Sequence, residues 1–98
     1  MKCVLKLYVV GDTAISERAI SNLKKICAEL LEDKYAIEVI DILKNPRLAV
    51  DESIVAVPTL TKELPAPLRR VIGDLSDTEN VLLGLGLTPS KENSEKRR

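Results

Sequence analysis

Hydrophobic positions fall along this chain in short dense runs separated by one long periodic stretch. From Cys3 to Val10 the sequence CVLKLYVV is apolar except at Lys6, the pattern of a strand covered on both faces. Gly11-Asp12-Thr13 interrupts it, and Asp12 or Thr13 is placed to cap a following helix. There Ala19, Ile20, Leu23, Ile26, Cys27, Leu30 and Leu31 recur at steps of three and four, while Glu17, Arg18, Lys24, Lys25, Glu29 and Glu32 occupy the opposite face. The spacing predicts one helix ending near Asp33-Lys34. A second β-branched run, Tyr35 to Ile42, then makes a right-handed parallel strand-helix-strand unit the expected opening of the fold.

Asn45-Pro46 is a helix-start signal, with Asn as cap and Pro at the first helical position, for a short helix through Leu48 and Ala49. Ser53 to Val57 returns to strand-like composition. Beyond Pro58, Thr59 to Lys62 reads as extended, Pro65-Ala66-Pro67 as a turn or polyproline segment, and Arg69 to Ile72 as an edge strand ending at Gly73. Ser76-Asp77-Thr78-Glu79 has the form of a capping box. The run after it is ambiguous. Val81, Leu83, Leu85 and Leu87 alternate as in a strand, and Gly84 and Gly86 each weaken a helix by about 1 kcal/mol relative to Ala. The expected organisation is one domain over residues 1–87 and a disordered charged tail over 88–98, which offers no aliphatic or aromatic side chain to bury.

Composition removes most chemistry. The 98 residues hold 15 Lys+Arg against 15 Asp+Glu, no His, no Trp, no Phe and two Cys. Without histidine neither a Ser-His-Asp nor a Cys-His nucleophile can be assembled, and two cysteines cannot fill a tetrahedral structural zinc site without help from carboxylates. Zero net charge and two tyrosines argue against nucleic acid as a partner. No run approaches the ~20 apolar residues that span a bilayer, and nothing in the opening residues resembles a signal peptide. The expectation is a cytoplasmic protein with reduced thiols, no cofactor and no metal.

The order strand-turn-helix-strand, then a Val57-Pro58-Thr59 that would supply a cis-proline, is that of a thioredoxin-like domain. Redox chemistry on that fold needs a Cys-x-x-Cys at the start of the first helix, where the helix N-terminus lowers the thiol pKa. This chain has Asp12-Thr13-Ala14-Ile15-Ser16 there, and Cys3 and Cys27 fall at positions expected to be buried and inert. The carboxylates Asp41, Asp51, Glu52, Asp74 and Asp77 lack calcium-loop spacing. Arg69-Arg70 is a candidate anion or partner contact.

Four segments carry a resemblance to a known family: LKLYVVGDT (Leu5 to Thr13), YAIEVIDILKNPRLA (Tyr35 to Ala49), VPTLTKELPAPLRRVIGDLS (Val57 to Ser76) and NVLLGLGL (Asn80 to Leu87). In this order they resemble the circadian clock protein KaiB family. The resemblance implies a metamorphic α/β adaptor that is not an enzyme. Its C-terminal half would exchange between a tetrameric or dimeric ground-state topology (βαββααβ) and a monomeric thioredoxin-like one (βαβαββα), the second binding a KaiC-type ATPase. The ground-state fold is the expected one. Arg18, Lys62, Arg69 and Arg70 match basic positions implied at the ATPase interface or the oligomer surface. Pro58 matches a proline whose isomer differs between states and Gly84 the switch-region glycine, where Gly84→Ala is expected to shift the population and speed binding. Glu38 stands where the clock proteins usually carry Lys on the strand that faces KaiA, and Gly86 replaces an Asp of the switch segment. A reversed charge at a contact turns attraction into repulsion, which argues against KaiA as a partner and leaves a timing or stress-adaptation role beside the clock one.

Two alternatives remain beside the adaptor. One is a thioredoxin-like oxidoreductase lacking Cys-x-x-Cys, and the other is a stand-alone sensor domain like the KaiB-like module of the clock histidine kinase.

Overall fold

The computed structural model of the protein describes residues 3–31, 34–54 and 56–86. Strand β1 (Cys3–Val9) is followed by helix α1 (Ala14–Ile26), which continues as a π-helical turn over Cys27–Leu31, and then by β2 (Tyr35–Asp41). Helix α2 (Pro46–Asp51), strands β3 (Thr59–Leu64) and β4 (Arg69–Ile72) and helix α3 (Thr78–Leu85) complete the order. The order is βαβαββα, the thioredoxin-like alternative, and not the ground-state topology expected from the sequence.

One four-stranded sheet runs β2-β1-β3-β4. Strands β1 and β2 are parallel, Leu5 beside Ile37 and Leu7 beside Val39, as the crossover through α1 requires. The β1–β3 and β3–β4 pairs are antiparallel. Cys3, Leu5, Leu7 and Val9 put one face of β1 against Ala19, Leu23, Ile26 and Cys27 of α1 and its extension, with Leu60, Leu75, Val81, Leu82 and Leu85 closing the core. The periodic face of the long helix is therefore the buried one. The side chains of Leu30 and Leu31, also assigned to it, and the helix end near Asp33 lie outside the described residues, as do Leu87 and the 88–98 tail.

Several local expectations shift. Thr13 is the N-cap of α1, its Oγ1 accepting from the Ser16 N–H at 3.3 Å. Asn45 precedes Pro46 as expected but makes no capping bond through its side chain, which instead donates to the Asp41 carbonyl at 3.2 Å. Ser53 lies in a turn, Ile54 is irregular and Ala56 and Val57 form a bend, none of them strand, and Val55 lies outside the described residues. The N–H groups of Ser53 and Ile54 are spent on the Val50 and Ala49 carbonyls at 3.0 and 2.8 Å, with Ser53 at φ 57, a Schellman closure of α2 that leaves no ladder for a strand. The cap of α3 is Asp77, not Ser76, accepting from the Asn80 N–H at 3.2 Å. Ser76 is already engaged one step earlier, its N–H donating to Asp74 Oδ1 at 3.1 Å. The ambiguous run from Val81 is helical as far as Leu85, and Gly86, at φ 72, terminates it in the left-handed conformation that glycine tolerates.

Candidate functional site

The turn between β1 and α1 is where a thioredoxin-type enzyme holds its cysteines. Here it is a hydroxyl cluster. Thr13 Oγ1 donates to Ser16 Oγ at 2.8 Å, and the Val10 N–H donates to Ser16 Oγ at 3.2 Å. The Gly11 N–H donates to Asp41 Oδ1 at 3.0 Å, tying the turn to the end of β2, and with the Leu43 N–H it holds the Asp41 carboxyl below its ordinary range. The Val57–Pro58 bond is cis, as the thioredoxin-like reading expects. Cys3 and Cys27 are both buried free thiols. Burial first, and the neighbouring Cys3 second, push the Cys27 thiol up to about 12.

The four basic residues singled out in the sequence do not form one surface. Arg18 on α1 pairs with Asp74 at 3.4 Å, and Asn22 Nδ2 donates to the Asp74 carbonyl at 2.8 Å, so the pair fastens α1 to the segment after β4. Lys62 is not a surface cation in this arrangement. It is 2% exposed, and its ammonium donates to the carbonyls of Pro65 and, at 3.1 Å, Pro67, holding the β3–β4 connection. The adjacent arginines point to opposite sides of β4. Arg69 shares the face of Val71, over which α3 packs, and its guanidinium lies beside Gly86, where it meets the negative end of the α3 dipole.

Arg70 projects from the other face, and there the register assembles something the linear sequence hides. Glu38 pairs with Lys6, Lys6 with Thr61, and Thr61 with Arg70, so the four stand in one row across β2, β1, β3 and β4. Side chains at paired positions share a face, which brings two of the predicted site residues, Glu38 and Arg70, onto one surface with Lys6 and Thr61. Glu38 and Arg70 are exposed, whereas Thr61 is buried and its hydroxyl donates to Glu63 Oε2 at 2.9 Å. The next row is Ile40, Tyr8, Thr59 and Ile72, apolar apart from the hydroxyl groups of Tyr8 and Thr59. Arg70 also donates to the carbonyls of Glu52 and, at 3.1 Å, Ser53, so it ties β4 to the end of α2. The clue available in the sequence was Lys6, the one polar residue in an otherwise apolar strand.

Exposed aliphatic side chains were not anticipated. Leu43 is 68% and Val50 74% exposed around α2, and Ile72 on β4 is 62% exposed. A cleft of about 170 Å³ lies between β4 and the start of α3, lined among others by Val71, Asp74 and Asn80. Among the described residues no group of three metal-ligating side chains occurs, and no helix is long and apolar enough to cross a membrane.

The sheet order and the hydroxyl-bearing turn define a thioredoxin-like α/β domain without the cysteine pair. Solved structures agree on the fold. The N-terminal domain of Synechococcus elongatus SasA is 25% identical, with a TM-score of 0.71 over 85% of this chain and 80% of that one. Mitochondrial thioredoxin 3 from Saccharomyces cerevisiae is 14% identical, with a TM-score of 0.69 over 87% and 77% of the two chains. Residues 6–87 match the KaiB domain, and the chain belongs to the KaiB family. It is 50% identical to the circadian clock protein KaiB3 of Synechocystis, over 90% of this chain and 86% of that protein. It is 57% identical to the circadian clock oscillator protein KaiB of Microcystis aeruginosa, over 86% of this chain and 81% of that one.

Proposed function

We propose that this protein is a non-enzymatic regulatory adaptor of a clock-type timing system, which binds a KaiC-type ATPase in the thioredoxin-like arrangement and modulates its phosphorylation and ATPase cycle. The observation that carries the reading is the KaiB match over residues 6–87 on a chain whose helix-start turn holds Thr13 and Ser16 in place of redox cysteines. Exposed Arg70 and Ile72 on the edge strand supply the charged and apolar surface such an adaptor uses. Arg18 and Arg69 contribute on the helix side of the sheet, and Lys62 acts by shaping the β3–β4 connection.

The adaptor works in the cytoplasm and self-associates as a dimer or tetramer when its C-terminal half takes the ground-state topology, with Pro58, Gly84 and Gly86 in the switching segment. Two packings a few kcal/mol apart make the competent state a fraction of the total, which slows association. Glu38 on the exposed edge strand β2 disfavours KaiA, and the output is a clock or a timing and stress-adaptation role. The test is co-elution of the protein with a KaiC-type hexamer in ATP, followed over hours. Wild type is expected to co-elute and Arg70→Glu to lose most of the complex. Absence of any complex with the ring overturns the proposal.

The likeness to the SasA N-terminal domain favours one other reading, a sensor module that stays monomeric and thioredoxin-like. A dimer or tetramer by light scattering excludes it.

A further inference from the structure

Strand β4 is an edge of the sheet, and its backbone polarity can be worked out residue by residue. Thr59 faces Ile72, Leu60 faces Val71, Thr61 faces Arg70 and Lys62 faces Arg69. One register step beyond, the Gly73 N–H donates to the Pro58 carbonyl at 3.0 Å. Opposed residues in an antiparallel ladder alternate between hydrogen-bonded and non-bonded pairs. Because Gly73 is a bonded position, Val71 and Arg69 also turn their backbone groups toward β3, and Ile72 and Arg70 turn theirs outward. Those same two residues carry their side chains on the face opposite α3, both exposed. Arg70 spends guanidinium donors on the Ser53 and Glu52 carbonyls, and among the described residues three of the five N–H groups of an arginine have no acceptor.

Charge selects the occupant. A second β4 laid antiparallel along this edge sets either arginine against arginine, which is unfavourable for cross-strand neighbours, or each Arg70 beside an Ile72, and in neither register does an acidic group meet the arginine. Residues 88–98 of the same chain carry four basic side chains and two acidic ones, the same sign as the edge. A strand with a carboxylate level with Arg70 meets the free donors in a charge-assisted bond, and an aliphatic residue two positions away covers Ile72.

We propose that the edge of β4, unpaired among the described residues, is a docking strand for an extended acidic segment of a partner protein, which joins the sheet through the outward backbone groups of Arg70 and Ile72. In the antiparallel sense the segment reads aliphatic-x-acid, the aliphatic side chain beside Ile72 and the carboxylate beside Arg70. This goes beyond the clock reading, because it specifies strand addition and a sequence pattern whatever protein carries the segment.

The test is backbone amide hydrogen exchange in the full-length protein with a blocked synthetic peptide, Thr-Val-Thr-Glu-Thr. At about nine-tenths occupancy the Arg70 and Ile72 amides are expected to slow about tenfold, since exchange then proceeds from the unbound tenth. The Arg69 and Val71 amides, already bonded to β3, are expected to keep their rates. A peptide with Lys in place of Glu is expected to give no protection. Equal protection by both peptides, or none at Arg70 and Ile72 with the Glu peptide at solubility-limited concentration, overturns the proposal. It also fails if those amides are protected without peptide in a way that grows with protein concentration, meaning a second copy, or that vanishes when residues 88–98 are deleted, meaning the tail. The clock reading stands or falls separately, since no ATPase enters the experiment.

Discussion

A methyl group built on Gly84 would lie 2.6 Å from Val71 Cγ2, well inside van der Waals contact. Helix α3 therefore approaches β4 closely because position 84 has no side chain. Alanine at an ordinary helical site gains about 1 kcal/mol over glycine, but overpacking a tight contact costs typically about 1–3 kcal/mol. Val71 is β-branched and stiff about χ1, so it yields poorly. Gly84→Ala is expected to destabilise this arrangement by about 1 kcal/mol, the opposite sign to the gain in binding-competent state expected from the sequence. A urea-unfolding cycle with Val71→Ala tests the contact: the second substitution should restore the helix-propensity gain, and additive effects would rule the contact out.

Ser53 sits at φ 57 as the residue that closes α2, a position where glycine carries no Cβ penalty. The left-handed conformation costs an L-residue about 1–2 kcal/mol. Ser53→Gly removes that cost and loses part of it again to backbone entropy in the unfolded chain, for a net stabilisation of about 0.5–1 kcal/mol. The urea midpoint should rise with an unchanged m-value. A fall in midpoint would show that the serine side chain holds the turn.

How far the sequence could be read depended on the range of the interaction. The β1-α1-β2 unit was legible because its signals are local: an apolar run, a helical repeat, a second apolar run. The end of α3 was not, because Val81, Leu83 and Leu85 fit a period of two while Val81, Leu82 and Leu85 fit a helix, and only contact with β4 and the Leu75 segment decides between them. The site divided in the same way. Arg70 and Glu38 were picked out singly, but their shared row with Lys6 and Thr61 depends on the registers of three strand pairs. Lys62 read as a surface cation because lysine almost always is one, and only the carbonyls of Pro65 and Pro67 make its burial tolerable.

That burial predicts how Lys62 responds to substitution. Lys62→Met keeps much of the aliphatic stem but leaves the Pro65 and Pro67 carbonyls without their donor. A hydrogen bond from a charged donor contributes about 1.5–3 kcal/mol, and because Pro67 is exposed and Pro65 half-buried, water recovers part of that. The variant should therefore unfold at modestly lower urea even in the absence of any partner. Unchanged stability together with lost partner binding would instead return Lys62 to the surface role expected from the sequence.

The acid limb of stability is assigned to two carboxylates. Asp41 accepts from the Gly11 and Leu43 N–H groups, while Asp74 accepts from the Ser76 side chain and backbone and pairs with Arg18; both pKa values are lowered. A folded-state pKa below the unfolded one contributes stability above the unfolded value, near pH 4, that is lost as pH falls through the folded value. Urea midpoints should therefore drop below about pH 4. Asp41→Asn should flatten that drop while lowering stability at neutral pH, and an acid limb as steep as in wild type would remove Asp41 as a source.

The alkaline limb belongs in part to Cys27. Its folded-state thiol is pushed up to about 12 by burial and by Cys3, whereas an unfolded cysteine ionises near pH 8.5. A raised folded-state value means that the contribution is fully present below the unfolded pKa and is lost as pH rises toward the folded one. Between about pH 8 and 10 the unfolded chain releases this proton and the folded chain keeps it, so the urea midpoint should fall. Cys27→Ala should make the decline shallower, although the variant is less stable at neutral pH through the small cavity it leaves. The thiolate is also the reactive species, so a disulfide reagent at pH 8 should label Cys27 only at the rate at which the fold opens, and faster as urea is added. Rapid stoichiometric labelling without denaturant would contradict both the burial and the inert role assigned to this cysteine.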